Sequence, residues 1–235
     1  MAPVGYTTGA LEEAEVVDFI DELRALENNA IEYSALREHE LEPVLAAFRQ
    51  ADLDDFAHVS FHAPSKLDKL TEAELVYALK EVAAKNVEIV VHPDIIEDHK
   101  LWISFGALLC IENMDQRKPC GRTAEELAEI FEKLPDASLC FDFAHVYQID
   151  PTLCEAQKIL EQFGDRIREI HLSSLNAECG HEALSYDTLL AFESIASLIP
   201  RDVPVVLEAP VPADVRLRQI ETASRFLRKT FGNAV

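Results

Sequence analysis

The segment 138-SLCFDFAHVYQID-150 joins a short β-type run to a charge that has no obvious place in it. Leu139, Cys140, Phe141 and Phe143 have the composition of a buried strand, yet Asp142 interrupts them and His145 follows three residues later. A carboxylate enclosed by apolar groups is costly unless a partner or a metal ion neutralises it.

Similar runs recur along the chain: 3-PVGYTT-8, 30-AIEYSA-35, 58-HVSFHA-63, 87-VEIVVH-92, 107-ALLCIEN-113, 167-IREIHL-172 and 204-PVVLEA-209, which with 138-SLCFDF-143 make eight. The segments between them carry helical patterns. Residues 12–28 place Val16, Phe19, Ile20 and Leu23 on one stripe, and 212–229 closes the chain in the same way. Residues 71–85 and 123–134 each open on a threonine followed by early carboxylates, which is helix-capping chemistry. The link 93-PDIIEDHKLWISF-105 is short and irregular, and no long helix is expected there.

Strands alternating with helices imply a parallel sheet. Eight βα units in roughly 250 residues is the arithmetic of a closed (β/α)8 TIM barrel. An open doubly wound sheet would carry a glycine-rich phosphate turn after an early strand, and 5-GYTTG-9 is not one. With no linker or low-complexity tract, residues 1–235 read as a single α/β barrel domain.

Composition narrows the function. The balance of 21 Lys and Arg against 43 Asp and Glu gives a formal charge of −22, which repels a phosphate backbone and argues against nucleic acid as partner. Five cysteines without a C-x-x-C pair suit reduced thiols and a cytoplasmic setting. The sequence shows no signal-peptide pattern and no apolar run of membrane-spanning length, so a soluble protein without membrane attachment is expected.

In such barrels reactive residues gather at the C-terminal ends of the strands. Here those ends carry His62, His92, Glu112, Asp142, His171 and Glu208, with His145 and His181 just beyond. Five of the eight histidines therefore fall at or after strand ends, whereas His39, His58 and His99 read as structural or solvent-facing. Each residue alone has a bland reading: a hydrogen-bonded histidine, an ion-paired glutamate, or an aspartate that accepts backbone hydrogen bonds at a turn. Together, three carboxylates at one mouth repel each other without a cation. Mixed imidazole and carboxylate donors suit Zn2+ or Mn2+ foremost, with Fe2+ and Mg2+ also compatible. Asp142 is thus expected to be a metal ligand.

The motifs 60-SFHAP-64, 90-VVHPD-94, 111-IENMD-115, 142-DFAH-145, 170-IHLSS-174 and 207-LEAP-210, in this order on these strands, resemble the xylose isomerase-like barrels. That superfamily includes sugar (phosphate) isomerases and epimerases as well as endonuclease IV. The resemblance implies one metal held by Glu112, Asp142, His171 and Glu208. The endonuclease pattern adds a second, on His62, His92 and a bridging Glu112. It adds a third on His145, His181 and an aspartate two residues before His181, where this chain has Cys179. One to three ions per chain follow, and His145 is alternatively a substrate contact.

Two chemistries fit. In the first, the protein isomerises or epimerises a sugar or sugar phosphate, with Glu112 and Glu208 trading the proton next to a carbonyl and His145 assisting. Arg117 and Lys118 would receive a phosphate in that reading, or else form a solvated loop pair. In the second, clustered metals hydrolyse a phosphoester, which would use His62, His92 and His181. The first needs no residue that is missing.

Overall fold

A computed structural model describes residues 2–12 and 16–232. Its strands are β1 (Val4–Thr7), β2 (Asn29–Ser34), β3 (His58–His62), β4 (Glu88–Val91), β5 (Leu109–Glu112), β6 (Ser138–Asp142) and β7 (Ile167–Leu172). A small antiparallel ribbon of β8 (Ser174–Leu175) and β9 (His181–Glu182) precedes β10 (Val205–Leu207). Apart from the ribbon, the strands close into one barrel in the order β1-β10-β7-β6-β5-β4-β3-β2, with β2 returning to β1, and every pairing is parallel. The closed eight-stranded barrel expected from the sequence is the fold observed. Each barrel strand overlaps a run read as a strand.

The helices are α1 (Val16–Arg24), α2 (Leu41–Gln50), α3 (Glu72–Ala84), α4 (His99–Trp102), α5 (Ala124–Lys133), α6 (Phe143–Ile149), α7 (Cys154–Phe163), α8 (Tyr186–Ile195) and α9 (Ala213–Gly232). Capping starts two of them where expected. The Thr71 hydroxyl accepts from the Glu74 amide while the Glu74 carboxylate accepts from the Thr71 amide, and Thr123 caps α5 through the Glu126 amide. The first helix is shorter than the predicted 12–28. Its expected start falls partly on residues 13–15, outside the described residues. Its end comes at Arg24, because the Ala25 and Leu26 amides turn back onto the Glu22 and Leu23 carbonyls and Asn28 takes a left-handed φ of 55°.

Strand alternation sorts side chains to two different interiors. Tyr6, Ile31, Tyr33, Phe61, Ile89, Val91, Ile111, Phe141 and Leu172 point outward into one apolar core shared with helix residues such as Phe19, Leu45, Leu79, Leu127 and Ile159. The residues between them face the barrel axis, where Val90, Cys110 and Cys140 make a small separate apolar cluster. Around it lie Glu32, Ser60, Glu169 and His171, all fully buried. Branched apolar residues normally fill a barrel of this type. Here a polar column runs beneath the strand ends, and the outer layer supplies the apolar burial.

The axis also requires a glycine. Gly5 pairs with Ala30 across β1 and β2, and a Cβ on Gly5 would lie 1.6 Å from the Ala30 carbonyl oxygen. No side-chain rotation relieves a clash with a partner strand's backbone. Gly5→Ala should therefore cost about 3 kcal/mol or more of folding stability, read as a lowered midpoint in urea unfolding. A midpoint equal to wild type would mean that the two strands can part without cost.

Candidate metal centre

Glu112 ends β5 and is almost completely buried. Its Oε2 lies 3.1 Å from both His62 Nε2, at the end of β3, and His92 Nε2, one residue past β4. Its Oε1 lies 3.2 Å from His145 Nδ1, on α6, and 3.7 Å from His171 Nδ1, on β7. One carboxylate thus gathers four imidazoles from four separate segments.

Asp142 divides its two oxygens between the two roles considered for it. Oδ1 caps α6 by accepting the His145 amide at 2.7 Å. Oδ2 makes no hydrogen bond and lies 3.5 Å from His145 Nδ1. Asn113 fixes the backbone there, donating to the Asp142 carbonyl and accepting from its amide, each at 2.8 Å. Glu208, the residue after β10, brings Oε1 to 3.2 Å from His171 Nδ1 and Oε2 to 3.8 Å from His181 Nδ1. The buried Tyr6 hydroxyl donates to the Ala209 carbonyl and so holds the turn that presents Glu208.

Buried polar atoms without a partner are unusual, and each calls for a reason. Here His171 Nδ1, Asp142 Oδ2, Glu208 Oε2 and His92 Nδ1 are all in that condition. All four belong to residues grouped with one ligand atom each inside a 4.8 Å span, among them Glu112 with Asp142 and His171, and His171 and Glu208 with Glu32. His62, His92 and Glu112 form a further group, and Asp142, His145 and His181 another. Mixed nitrogen and oxygen donors in this density fit a divalent cation. Every site residue expected from the sequence lies in at least one of these groups. Cys179 lies in none among the described residues. Its sulfur accepts from the Gln148 and Gln116 side-chain amides, and Asp142 supplies the carboxylate beside His145 and His181.

The charges of these donors are strongly coupled. Burial alone would raise the Glu112 carboxyl, but His92, His145, His171 and His62 hold it well below the usual range. Burial pushes Asp142 well up, reinforced by Glu208 and Glu112. Burial would lower His62 and His145, yet Glu32 and Glu112 bring the first up to about 9, and Asp142 and Glu112 the second up to about 10. His92 and His181 are lowered, chiefly by burial.

Of these donors His62, His92, Glu112, His145, His181 and Glu208 line a cavity of about 330 Å³, at the small end of ligand cavities, while Asp142 and His171 are buried and do not line it. Its two basic residues are ion-paired: Arg117 with Asp115, and Lys118 with Asp94 at 2.8 Å. The reading of Arg117 and Lys118 as a solvated pair holds for the half-exposed Arg117 and is corrected for Lys118. Each has a carboxylate partner, and Lys118 is mostly covered.

The family model for the xylose isomerase-like TIM barrel matches residues 58–230, most of the chain. The chain belongs to this family. Among solved structures, this xylose isomerase-like barrel is similar to a D-tagatose 3-epimerase-like protein at 15% identity, with 99% of this chain and 100% of that one covered and a TM-score of 0.69. Endonuclease IV from Thermus thermophilus matches at 19% identity, 97% and 99% coverage and a TM-score of 0.62. The 3-keto-D-glucoside 4-epimerase from E. coli, in its apo form, matches at 15% identity, 97% and 100% coverage and a TM-score of 0.59. At these identities the likeness is one of fold. No curated protein matches significantly.

Four residues around the site escaped the sequence reading: Asn113, Asp115, Glu32 and Glu169. Asp115 lines the cavity, with Oδ2 3.8 Å from His145 Nε2. Glu32 and Glu169 sit inside β2 and β7, in the runs AIEYSA and IREIHL. A charge within an apolar run was the signal at Asp142, and it was present at these two positions as well.

Two measurements test the centre. Asp142→Ala removes the free Oδ2 along with the cap, so bound metal per chain by elemental analysis should fall sharply while the barrel, whose core lies outside the strands, persists. Unchanged occupancy would leave Asp142 with its capping role alone. Burial would lower His171, yet Cys140, Glu208 and Glu32 hold it well above the usual imidazole range, and an imidazole must be neutral to ligate. Zinc should therefore release protons on binding and bind more tightly as the pH rises from neutral. Calorimetry in buffers of different ionisation enthalpy reads the release, and a buffer-independent heat would contradict it.

Proposed function

We propose that this protein is a divalent-metal-dependent isomerase or epimerase of a sugar or sugar phosphate, moving a proton next to a carbonyl. One observation carries the reading: Glu112 and Glu208, from strands with β6 and β7 between them, both line one small cavity and both aim a carboxylate oxygen at the buried His171 Nδ1. Glu112, Asp142, His171 and Glu208 would hold the ion. When bound, it polarises the substrate carbonyl and offsets the negative charge that develops beside it.

The chain's own groups do the rest. Glu112 and Glu208 are both held ionised, the latter by His171 and His181 against its burial, so either can take a carbon-bound proton. Their placement on different strands gives the substrate a base on either side. His145 carries a proton 3.2 Å from Glu112 and can return one through that carboxylate. Asp115, fixed by Arg117, is placed to receive substrate hydroxyls. A sugar fits a cavity of about 330 Å³.

A second reading, metal-dependent phosphoester hydrolysis, rests on the groups an isomerase does not need: His62 and His92 on the same oxygen of Glu112, and His181 beside His145. The net charge of −22 and the ion-paired state of Arg117 and Lys118 count against a nucleic acid substrate.

Proton exchange separates the two. With Mn2+ or Zn2+, the wild-type protein should exchange the proton next to the carbonyl of a ketose, or a ketose phosphate, with solvent deuterium, as read by NMR across a panel. Glu208→Gln should lose that exchange by at least about 100-fold, since an amide keeps the shape but cannot take a proton. No exchange across the panel, together with turnover of a generic phosphodiester, would favour the hydrolase.

A further inference from the structure

A hydrogen-bonded chain runs down the barrel axis from the candidate metal centre. His171 Nδ1 faces the centre, 3.2 Å from Glu208, with no hydrogen-bond partner of its own. On the other side of the ring, His171 Nε2 lies 3.0 Å from Glu169 Oε1. The second oxygen of Glu169 lies 2.6 Å from His58 Nε2, at the start of β3. Glu169 and His171 are fully buried.

A neutral imidazole carries its proton on one nitrogen and its lone pair on the other, so a carboxylate beside Nε2 selects the proton there and leaves Nδ1 as the donor to metal. Two rivals approach the ring: Glu32, with Oε2 3.2 Å from the same Nε2, and the Cys140 thiol, an acceptor weaker than a carboxylate. Both Glu32 oxygens lack hydrogen-bond geometry, whereas Glu169 is tethered at each end. Nor is Glu169 accounted for by packing. It occupies the axis-facing position two residues before His171, beside Cys140 on β6, where an apolar residue would fill the barrel.

We propose that Glu169 is a positioning residue for the metal centre: clamped by His58, it holds His171 with Nε2 protonated and Nδ1 turned to the ion. The assignment rests on His171 being a metal ligand and is independent of which reaction the centre performs. Carboxylate partners of ligating histidines commonly carry about 10–100-fold of metal affinity.

The test uses the full-length protein and Zn2+ alone, with affinity from competition against a chromophoric chelator and 15N NMR of the histidine rings. In wild type, His171 should bear zinc on Nδ1 and a proton on Nε2. Glu169→Leu should weaken zinc about 10–100-fold and let the ring coordinate through either nitrogen. Glu169→Gln, whose amide oxygen still accepts from Nε2 while its NH2 reaches His58, should keep Nδ1 coordination and most of the affinity. If the leucine variant does not fold, Glu169→Asp retracts the carboxylate by one methylene and should lose affinity in the same direction. Wild-type affinity and Nδ1 coordination in Glu169→Leu or Glu169→Asp would overturn the role of Glu169. A wild-type protein that takes up no zinc would instead overturn the metal centre itself, and this inference with it.

Discussion

The carboxylate of Glu112 is the constraint on which the mouth of the barrel depends. It is buried beside Asp142 and Glu208, and negative charges brought together away from water repel strongly. Four histidines answer it, from β3, the end of β4, α6 and β7. For those rings to meet one side chain, four segments scattered over more than a hundred residues must end at the same height. A parallel barrel achieves this because its strands share a direction and a stagger. The site therefore needs the closed barrel, and the barrel's polar mouth is tolerable only because its charges compensate one another.

The division of side chains between two interiors explains how the molecule tolerates so polar an axis. Tyr6, Tyr33, Phe48, Phe61 and Phe141 lie in the layer between strands and helices, where aromatic rings pack edge to face. That layer carries the hydrophobic burial that stabilises the fold. Freed from that task, the inward positions of β2, β3, β6 and β7 hold Glu32, Ser60, Cys140, Glu169 and His171. Gly5 marks the limit of this freedom, since β1 and β2 approach too closely there for even a methyl group.

Much of this was legible in the sequence, because strand ends can be located from short apolar runs and a barrel then brings them together without further information. His62, His92, Glu112, Asp142, His171 and Glu208 needed only that. What was not legible depends on side-chain conformation or on elements too short to have a period. The two-residue strands of the ribbon that carries His181 have no alternation to detect. The pairing of Arg117 with Asp115 skips only one residue in the chain, and Lys118 reaches Asp94 from a different loop. Asp142 as both cap and open donor requires knowing which oxygen faces which way. Glu32 and Glu169 differ in kind: the charge in the strand was visible, but a glutamate inside a barrel has no obvious use until His171 and His58 stand on either side of it.

The two chemistries compete for the same atoms. Glu112 has two oxygens, and His62 and His92 share Oε2, while His145 and His171 approach Oε1. An ion held by His62, His92 and Glu112 would take Oε2, and one held with Asp142 and His171 would take Oε1. With both oxygens committed to cations, Glu112 has no lone pair left of the basicity that proton abstraction requires. It would then act only as a bridge, the arrangement suited to clustered-metal hydrolysis. With one ion, on Asp142, His171 and Glu208, the opposite oxygen is free of any cation, and the protons on His62, 3.1 Å from it, and on His145 replace the missing cation as compensation for the carboxylate. The number of ions bound thus decides whether Glu112 is a ligand or a base, so metal stoichiometry and reaction type are one question in this barrel.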